Sequence, residues 1–394
     1  MNVTLRDSPP PPPPPSTSAP SDKTAPSVHP RLFEMREYSP EGILEQMAYM
    51  LVRPPRFLYN PDILLPGRKL GGRFSLHTYR VPFELRLYRQ AETRYVVLYL
   101  HGNGSSSFEG TLFLPSLPEG VGLACFDFRG CGNREGEFIT LGQEESAEVD
   151  VAARFLKAEG YRVVGWGRSM GAVSLLLSSE CALMVADSAF ASLAALCKES
   201  SAQFLPRPCC CLFHCLFPCA FACIKARVRA LAGLEVGRME VAARAGGEGR
   251  QVCFIHGEED SLVPSHHAQQ LYDSFAGGKM LVLFEGTHNS TRPPEVLAKC
   301  FEFIEEGLRS AQEGGQRQSR VLEMGELPRP FPQHSNISRI ASKPAEVPPT
   351  LDSSHQHALR RDPSELTTVS EVRRLTNPRE AHDLPLPANF RDVI

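Results

Sequence analysis

The chain has 394 residues, with 42 Lys and Arg against 45 Asp and Glu and a formal net charge of −3. That length holds one large α/β domain plus tails, and the charge balance, with no dense basic stripe, argues against a nucleic-acid role. The twelve cysteines are not spaced like a secreted disulfide framework, which a chain of this size does not need.

From the N-terminus, residues 1–30 form a Ser/Thr/Pro-rich head with seven consecutive prolines, Pro9 to Pro15. Such a segment cannot bury a core and is expected to be disordered or polyproline II. Its start is polar rather than basic and then apolar, so no signal peptide is expected, and Asn2 excludes N-myristoylation. Residues 31–311 carry the expected folded domain. Strand patterns fall at Phe74–Tyr79, Phe83–Tyr88, Tyr95–Leu100 and Gly122–Asp127. The third runs into His101-Gly102-Asn103-Gly104, which taken alone is an ordinary glycine turn. A helical pattern follows from Glu144 to Ala158, with Val149, Val151, Ala152, Phe155 and Leu156 apolar.

The next segment carries the most chemistry. Arg162–Trp166 reads as a short buried strand, Gly167-Arg168-Ser169-Met170-Gly171 follows, and Ala172–Leu177 begins a buried helix. A serine flanked by glycines between strand and helix fits a nucleophile elbow, which strains the backbone at Ser169 and holds its Oγ at the tip of the turn. The helix N-terminus aims amides at the same place. With a nucleophile there, the turn after Leu100 gains a use. The backbone amides of Asn103 and Met170 would form the oxyanion hole that acyl transfer needs.

A strand at Ala182–Asp187 comes next, and another at Val252–Gly257 runs into Glu258-Glu259-Asp260. Asp260 is the chosen orienting acid, because it falls past the turn glycine and just before the segment leading to a helix. Glu258 and Glu259 are read as solvated, and Asp187 is the competing acid. His266 and His267, at a helix start, read as surface residues. The last strand, Met280–Phe284, precedes His288, which is the expected base by its position, and a helix from Pro294 to Leu308 closes the domain. Asn289-Ser290-Thr291 is a glycosylation sequon beside His288; a glycan there would crowd the site, which favours a cytoplasmic protein. Alternating strands and helices predict a mostly parallel sheet of about eight strands covered on both faces.

Residues 188–251 are too long for a single crossover, and a small helical cap is expected there. It contains Cys209, Cys210, Cys211, Cys215, Cys219 and Cys223, among Phe213, Leu216, Phe217, Phe221 and Ile224. Cys211 to Cys223 recur every fourth residue, so on a helix they share one face. One face cannot wrap four thiolates around a zinc ion, and no metal is expected. A buried cap core and a peripheral membrane contact, with S-acylation of some cysteines, both fit the pattern. A transmembrane span does not, because His214 and Pro218 interrupt a short stretch. Residues 312–394 are rich in Arg, Ser, Pro, Glu and Gln without a sustained period, and are expected to be a largely disordered tail.

The blocks His101-Gly102-Asn103, Asp127-Phe128-Arg129-Gly130-Cys131-Gly132 and Gly167-Arg168-Ser169-Met170-Gly171 resemble those of the α/β-hydrolase superfamily, closest to its serine-aminopeptidase-like branch. The resemblance covers roughly Phe74 to Leu308. It implies an α/β-hydrolase fold, a Ser169–His288–Asp260 triad and a supporting role for the Asp127 block. The chain order Ser169, Asp260, His288 is the one this scaffold imposes. The expected activity is cleavage of an ester, thioester or amide on a small acyl or lipid-like substrate, without a cofactor. The alternative is a non-catalytic binding or scaffold protein on the same fold.

Overall fold

A computed structural model describes residues 33–36, 42–53, 55–64, 72–203, 210–247, 249–312 and 337–340. The proline-rich head lies outside the described residues, as does most of 312–394. A short antiparallel pair, β1 (Phe33–Arg36) and β2 (Arg56–Tyr59), flanks helix α1 (Ile43–Val52).

All eight strand patterns read from the sequence form strands. They are β3 (Ser75–Arg80), β4 (Glu84–Arg89), β5 (Tyr95–Leu100), β6 (Val121–Cys125), β7 (Val163–Arg168), β8 (Leu183–Asp187), β9 (Gln251–Gly257) and β10 (Gly278–Phe284). Their spatial order is β10-β9-β8-β7-β5-β6-β4-β3, parallel except where β4 pairs with β3 and β6. A further parallel edge strand, β11 (Ile337–Ile340), pairs with β10. The tail expectation had no strand there. A four-residue run carries too little periodicity to be recognised, and its partner is the open edge of β10.

The strands alternate between two cores, as their period of two requires. Val96, Leu98 and Leu100 of β5 join one apolar cluster, with Val149 and Leu156 of α3 (Glu145–Ala158) and Val173 and Leu176 of α4 (Met170–Leu177). Tyr95, Val97 and Tyr99 join the other, with Val296, Cys300 and Ile304 of α9 (Pro294–Gln312). Both faces are therefore covered, and the continuous apolar runs of β5 and β8 follow from that double burial. Helix α2 (Phe108–Phe113) follows the turn after β5.

The insertion after β8 is helical, as expected: α5 (Leu193–Gln203), α6 (Cys210–Ala232) and α7 (Val241–Arg244). Helix α6 lies beside α1, where the Arg227 guanidinium donates to both carboxylate oxygens of Glu45 at 2.6 and 2.7 Å. Ile224 and Val228 face inward, whereas Cys219 and Cys223 are exposed. For those two thiols the buried-core reading is corrected: they sit on the outward side of the helix, away from the Ile224–Val228 stripe. The side chains of Cys209, Cys210, Cys211 and Cys215 lie outside the described residues. Among the described residues, no helix is long and apolar enough to cross a membrane.

Candidate active site

Four strand ends on one edge of the sheet carry the nominated residues: Asn103 after β5, Ser169 after β7, Asp260 after β9 and His288 after β10. His288 and Asp260 are hydrogen-bonded to each other, whereas no hydrogen bond joins Ser169 to His288. This is the carboxyl edge, where open parallel sheets carry their sites.

Ser169 has φ 51° and ψ −116°, a conformation that costs a non-glycine residue roughly 1–3 kcal/mol. Two bonds hold it there: its amide donates to Asp187 O at 2.8 Å, and its carbonyl accepts from Val173 N–H at 3.0 Å. The flanking glycines are required by contact. A Cβ on Gly171 would stand 2.2 Å from Leu100 O, and one on Gly167 would stand 2.4 Å from Gly171 O. The elbow is thus pressed directly against the end of β5. Ser169 is half-buried, while the surrounding residues 164–168 and 170–176 are buried.

The turn after β5 lies against the serine, with the Cβ position of Gly102 3.7 Å from Ser169 Cβ. Among the described residues, the amides of Asn103 and Met170 find no protein acceptor in a turn, loop or cap. The Asn103 side-chain oxygen is buried without a partner. His101 belongs to the framework: its ring accepts from Phe128 N–H at 3.1 Å and meets Gly102 O at 2.8 Å.

His288 and Asp260 form a buried pair, with Nδ1 2.7 Å from Asp260 Oδ2. The other carboxylate oxygen accepts the Leu262 and Val263 amides at 3.0 and 2.7 Å. Burial pushes the Asp260 carboxyl up, but contacts from His256, His288 and the Val263 amide outweigh it, and the net shift is well downward. Asp260 is therefore an anion beneath the imidazole. For His288, burial is the largest influence and lowers its pKa; Asp260 opposes that, and the Arg168 and Arg292 cations add to it. The resting imidazole is neutral at pH 7, as a general base must be.

Asp187, the competing acid, is committed elsewhere. Its two oxygens take the Arg292 guanidinium at 2.8 and 2.6 Å, and Ser188 Oγ lies 3.0 Å away. Of the two neighbouring glutamates, Glu259 is exposed and Glu258 half-buried. His266 is exposed as expected, but His267 is fully buried, because its Nδ1 accepts the Ala191 amide under the start of the insertion.

Several residues around the site were not legible in the sequence. His256 Nε2 lies 2.7 Å from Val263 O and 3.2 Å from Asp260 Oδ2, supporting the acid from the strand below. Glu109 accepts the Gly102 amide and the Tyr99 hydroxyl and pairs with Arg168. The Asp127 block is structural in detail: Asp127 accepts the Ser107 amide at 2.7 Å, the Asn133 amide at 2.9 Å and the Tyr59 hydroxyl at 2.7 Å. It thereby fixes the start of α2, which carries Glu109. A motif flags the aspartate, but nothing local announces partners as distant in sequence as Tyr59.

One group of metal-ligating residue types meets among the described residues: Glu199, His266 and His267. Donation from Ala191 N–H to His267 Nδ1 leaves the ring proton on Nε2, facing Glu199 at 3.2 Å. That nitrogen offers a donor rather than a lone pair, so the group ties α5 to α8 (His266–Ser274) instead of cradling a cation.

The chain is similar to several solved structures of hydrolases. An esterase of Pyrococcus furiosus is 21% identical, with a TM-score of 0.46 over 64% of this chain and 99% of its own. Acetyl xylan esterase 1 from Thermoanaerobacterium sp. is 14% identical, with a TM-score of 0.41 over 62% of this chain and 91% of its own. Pyrococcus horikoshii acylaminoacyl peptidase is 15% identical, with a TM-score of 0.42 over 62% of this chain and 43% of its own. No curated protein matches the sequence. The sequence model of the Alpha/beta hydrolase family matches residues 97–299, just over half the chain and every strand end that carries the site, and the chain belongs to that family.

Proposed function

We propose that the chain is a serine hydrolase that cleaves an ester or thioester through Ser169, His288 and Asp260. The observation that carries this reading is the buried His288–Asp260 pair on the same sheet edge as a strained serine. In the first step His288 Nε2 takes the Ser169 proton as Oγ attacks the substrate carbonyl, and the Asn103 and Met170 amides bind the oxyanion. The imidazolium, stabilised by Asp260, returns the proton to the departing alcohol or thiol and leaves an acyl-serine. Water, activated by the same imidazole, then releases the acid and restores the hydroxyl. The apolar composition of the insertion, which carries Phe213, Leu216, Phe217 and Phe221, favours an acyl or lipid-like substrate. Amide cleavage uses the same groups and is separated from ester cleavage by a substrate panel.

A fluorophosphonate probe tests the reading. Wild-type protein should be labelled on Ser169 and should turn over p-nitrophenyl esters or acyl thioesters. Ser169→Ala should lose labelling and about 10⁴–10⁶-fold in turnover. Labelling of a folded Ser169→Ala protein would refute it, and a wild type that neither labels nor turns over would favour a binding role.

A further inference from the structure

We propose that two buried arginines, Arg292 held by Asp187 and Arg168 held by Glu109, are positioning residues that fix the backbone of His288 from two other strand ends. The inference rests on the triad reading above and assigns work to four side chains outside it.

The geometry is specific. Arg292 Nη1 and Nη2 each donate to His288 O at 3.1 Å, and Nη1 also donates to Ser290 O. Its remaining donors meet Asp187 and Ser188 Oγ at the end of β8. Arg168, next to Ser169, sends Nη2 to the same His288 carbonyl at 3.4 Å and to Asn289 Oδ1. Its Nη1 lies 3.4 Å from Glu109 Oε1, while Glu109 Oε2 accepts the Gly102 amide at 3.2 Å. One carboxylate therefore joins the oxyanion turn to the histidine loop. The His288 peptide oxygen has two lone pairs, and both arginines converge on it.

Arginine suits this task because its planar fork presents several donors in fixed directions and never loses its charge. A pair serving only stability could sit anywhere in the core. Here both pairs end on one carbonyl, that of the residue whose ring must stay in line with Ser169. Asp187 is thereby explained as a carboxylate that acts on the histidine through Arg292 rather than by touching its ring. The charged groups around His288 are Asp260 at its Nδ1, Arg292 and Arg168 on its carbonyl side, and Asp187 and Glu109 behind the two arginines. Both cations oppose protonation of the imidazole, and Asp260 favours it.

The test is steady-state ester hydrolysis against pH for Arg292→Gln, Arg292→Lys and Asp187→Asn, with Ser169→Ala labelled in parallel. Arg292→Gln should lower kcat by about 10–10²-fold with KM changed less than about threefold, since geometry rather than binding is lost. Its acid limb should move to higher pH, because one cation no longer opposes imidazolium. Arg292→Lys should keep the limb near its wild-type position and recover part of kcat. Asp187→Asn should lower kcat similarly but move the limb to lower pH, because Arg292 is then uncompensated. If Arg292→Gln does not fold, the lysine and Asp187→Asn variants decide. Variants with kcat within about twofold of wild type, or limbs that do not move in opposite directions, overturn the proposal. Persistent labelling of Ser169→Ala would instead overturn the triad reading, so the two failures are distinct.

Discussion

Replacing Asp260 by asparagine tests the acid most directly, because the structure dictates how the new side chain must sit. Oδ1 accepts two backbone amides, from Leu262 and Val263, and these admit only the amide oxygen. The Asn NH₂ group is then forced into the position of Oδ2, where His288 Nδ1 lies 2.7 Å away. Two donors cannot face each other, so the imidazole proton must move to Nε2, the atom that has to accept the Ser169 proton. His256 Nε2 also loses an acceptor but keeps Val263 O at 2.7 Å, so the local fold survives. Loss of the anion under a nascent imidazolium and the wrong tautomer together should cost on the order of 10⁴ in kcat, or about 5.5 kcal/mol of barrier. The same exchange also removes an acid-sensitive element of stability. The Asp260 carboxyl lies below its ordinary value in the folded protein, so its stabilisation is present above the usual aspartate range and is lost as pH falls through the lowered folded value. Burst kinetics with a p-nitrophenyl ester and a thermal melt at pH 7 give both quantities. A folded Asp260→Asn enzyme within tenfold of wild type would refute the tautomer argument and return Asp187 to contention.

Four further outcomes follow from the site and the insertion. In the proposed mechanism His288 acts when neutral, and burial lowers its pKa, so kcat/KM should rise with pH along a limb centred below the ordinary histidine value of 6.5; a midpoint above 6.5 contradicts the described environment. Asn103→Ala should be mild and Asn103→Pro severe, because only proline removes the amide donor; a large loss in a folded Asn103→Ala protein would show that the side chain does the work. Maleimide should label Cys219 and Cys223 rapidly in the native protein, and Cys125 and Cys181, buried thiols that burial pushes up to about 12, only on unfolding; equal rates would contradict the α6 packing. We propose in addition that the Cys-rich cap makes a peripheral membrane contact: replacing Cys209, Cys210, Cys211, Cys215, Cys219 and Cys223 by serine should reduce recovery in membrane fractions, and no change removes that proposal.

The parts of this protein legible in its sequence are those whose cause is local. The strand, turn and helix around Ser169 follow from apolar periodicity and two glycines within a few residues of each other. The chain order of serine, acid and histidine follows from which strand ends carry them, so Asp260 and His288 could be nominated without coordinates. The choice between Asp260 and Asp187 was not local. Both follow buried strands, and what separates them is Arg292, 105 residues after Asp187, which occupies that carboxylate. The same limit hid Glu109, Arg168 and His256, since an arginine or glutamate in a loop looks solvated until a partner on another strand end encloses it. It also hid β11, whose identity depends on an unpaired edge of β10. Periodicity along the chain thus determined the sheet and the order of its catalytic candidates. Only packing decided which charges meet in the interior, because burying a charge is tolerated where an opposite charge and its hydrogen bonds are brought to it from elsewhere in the fold.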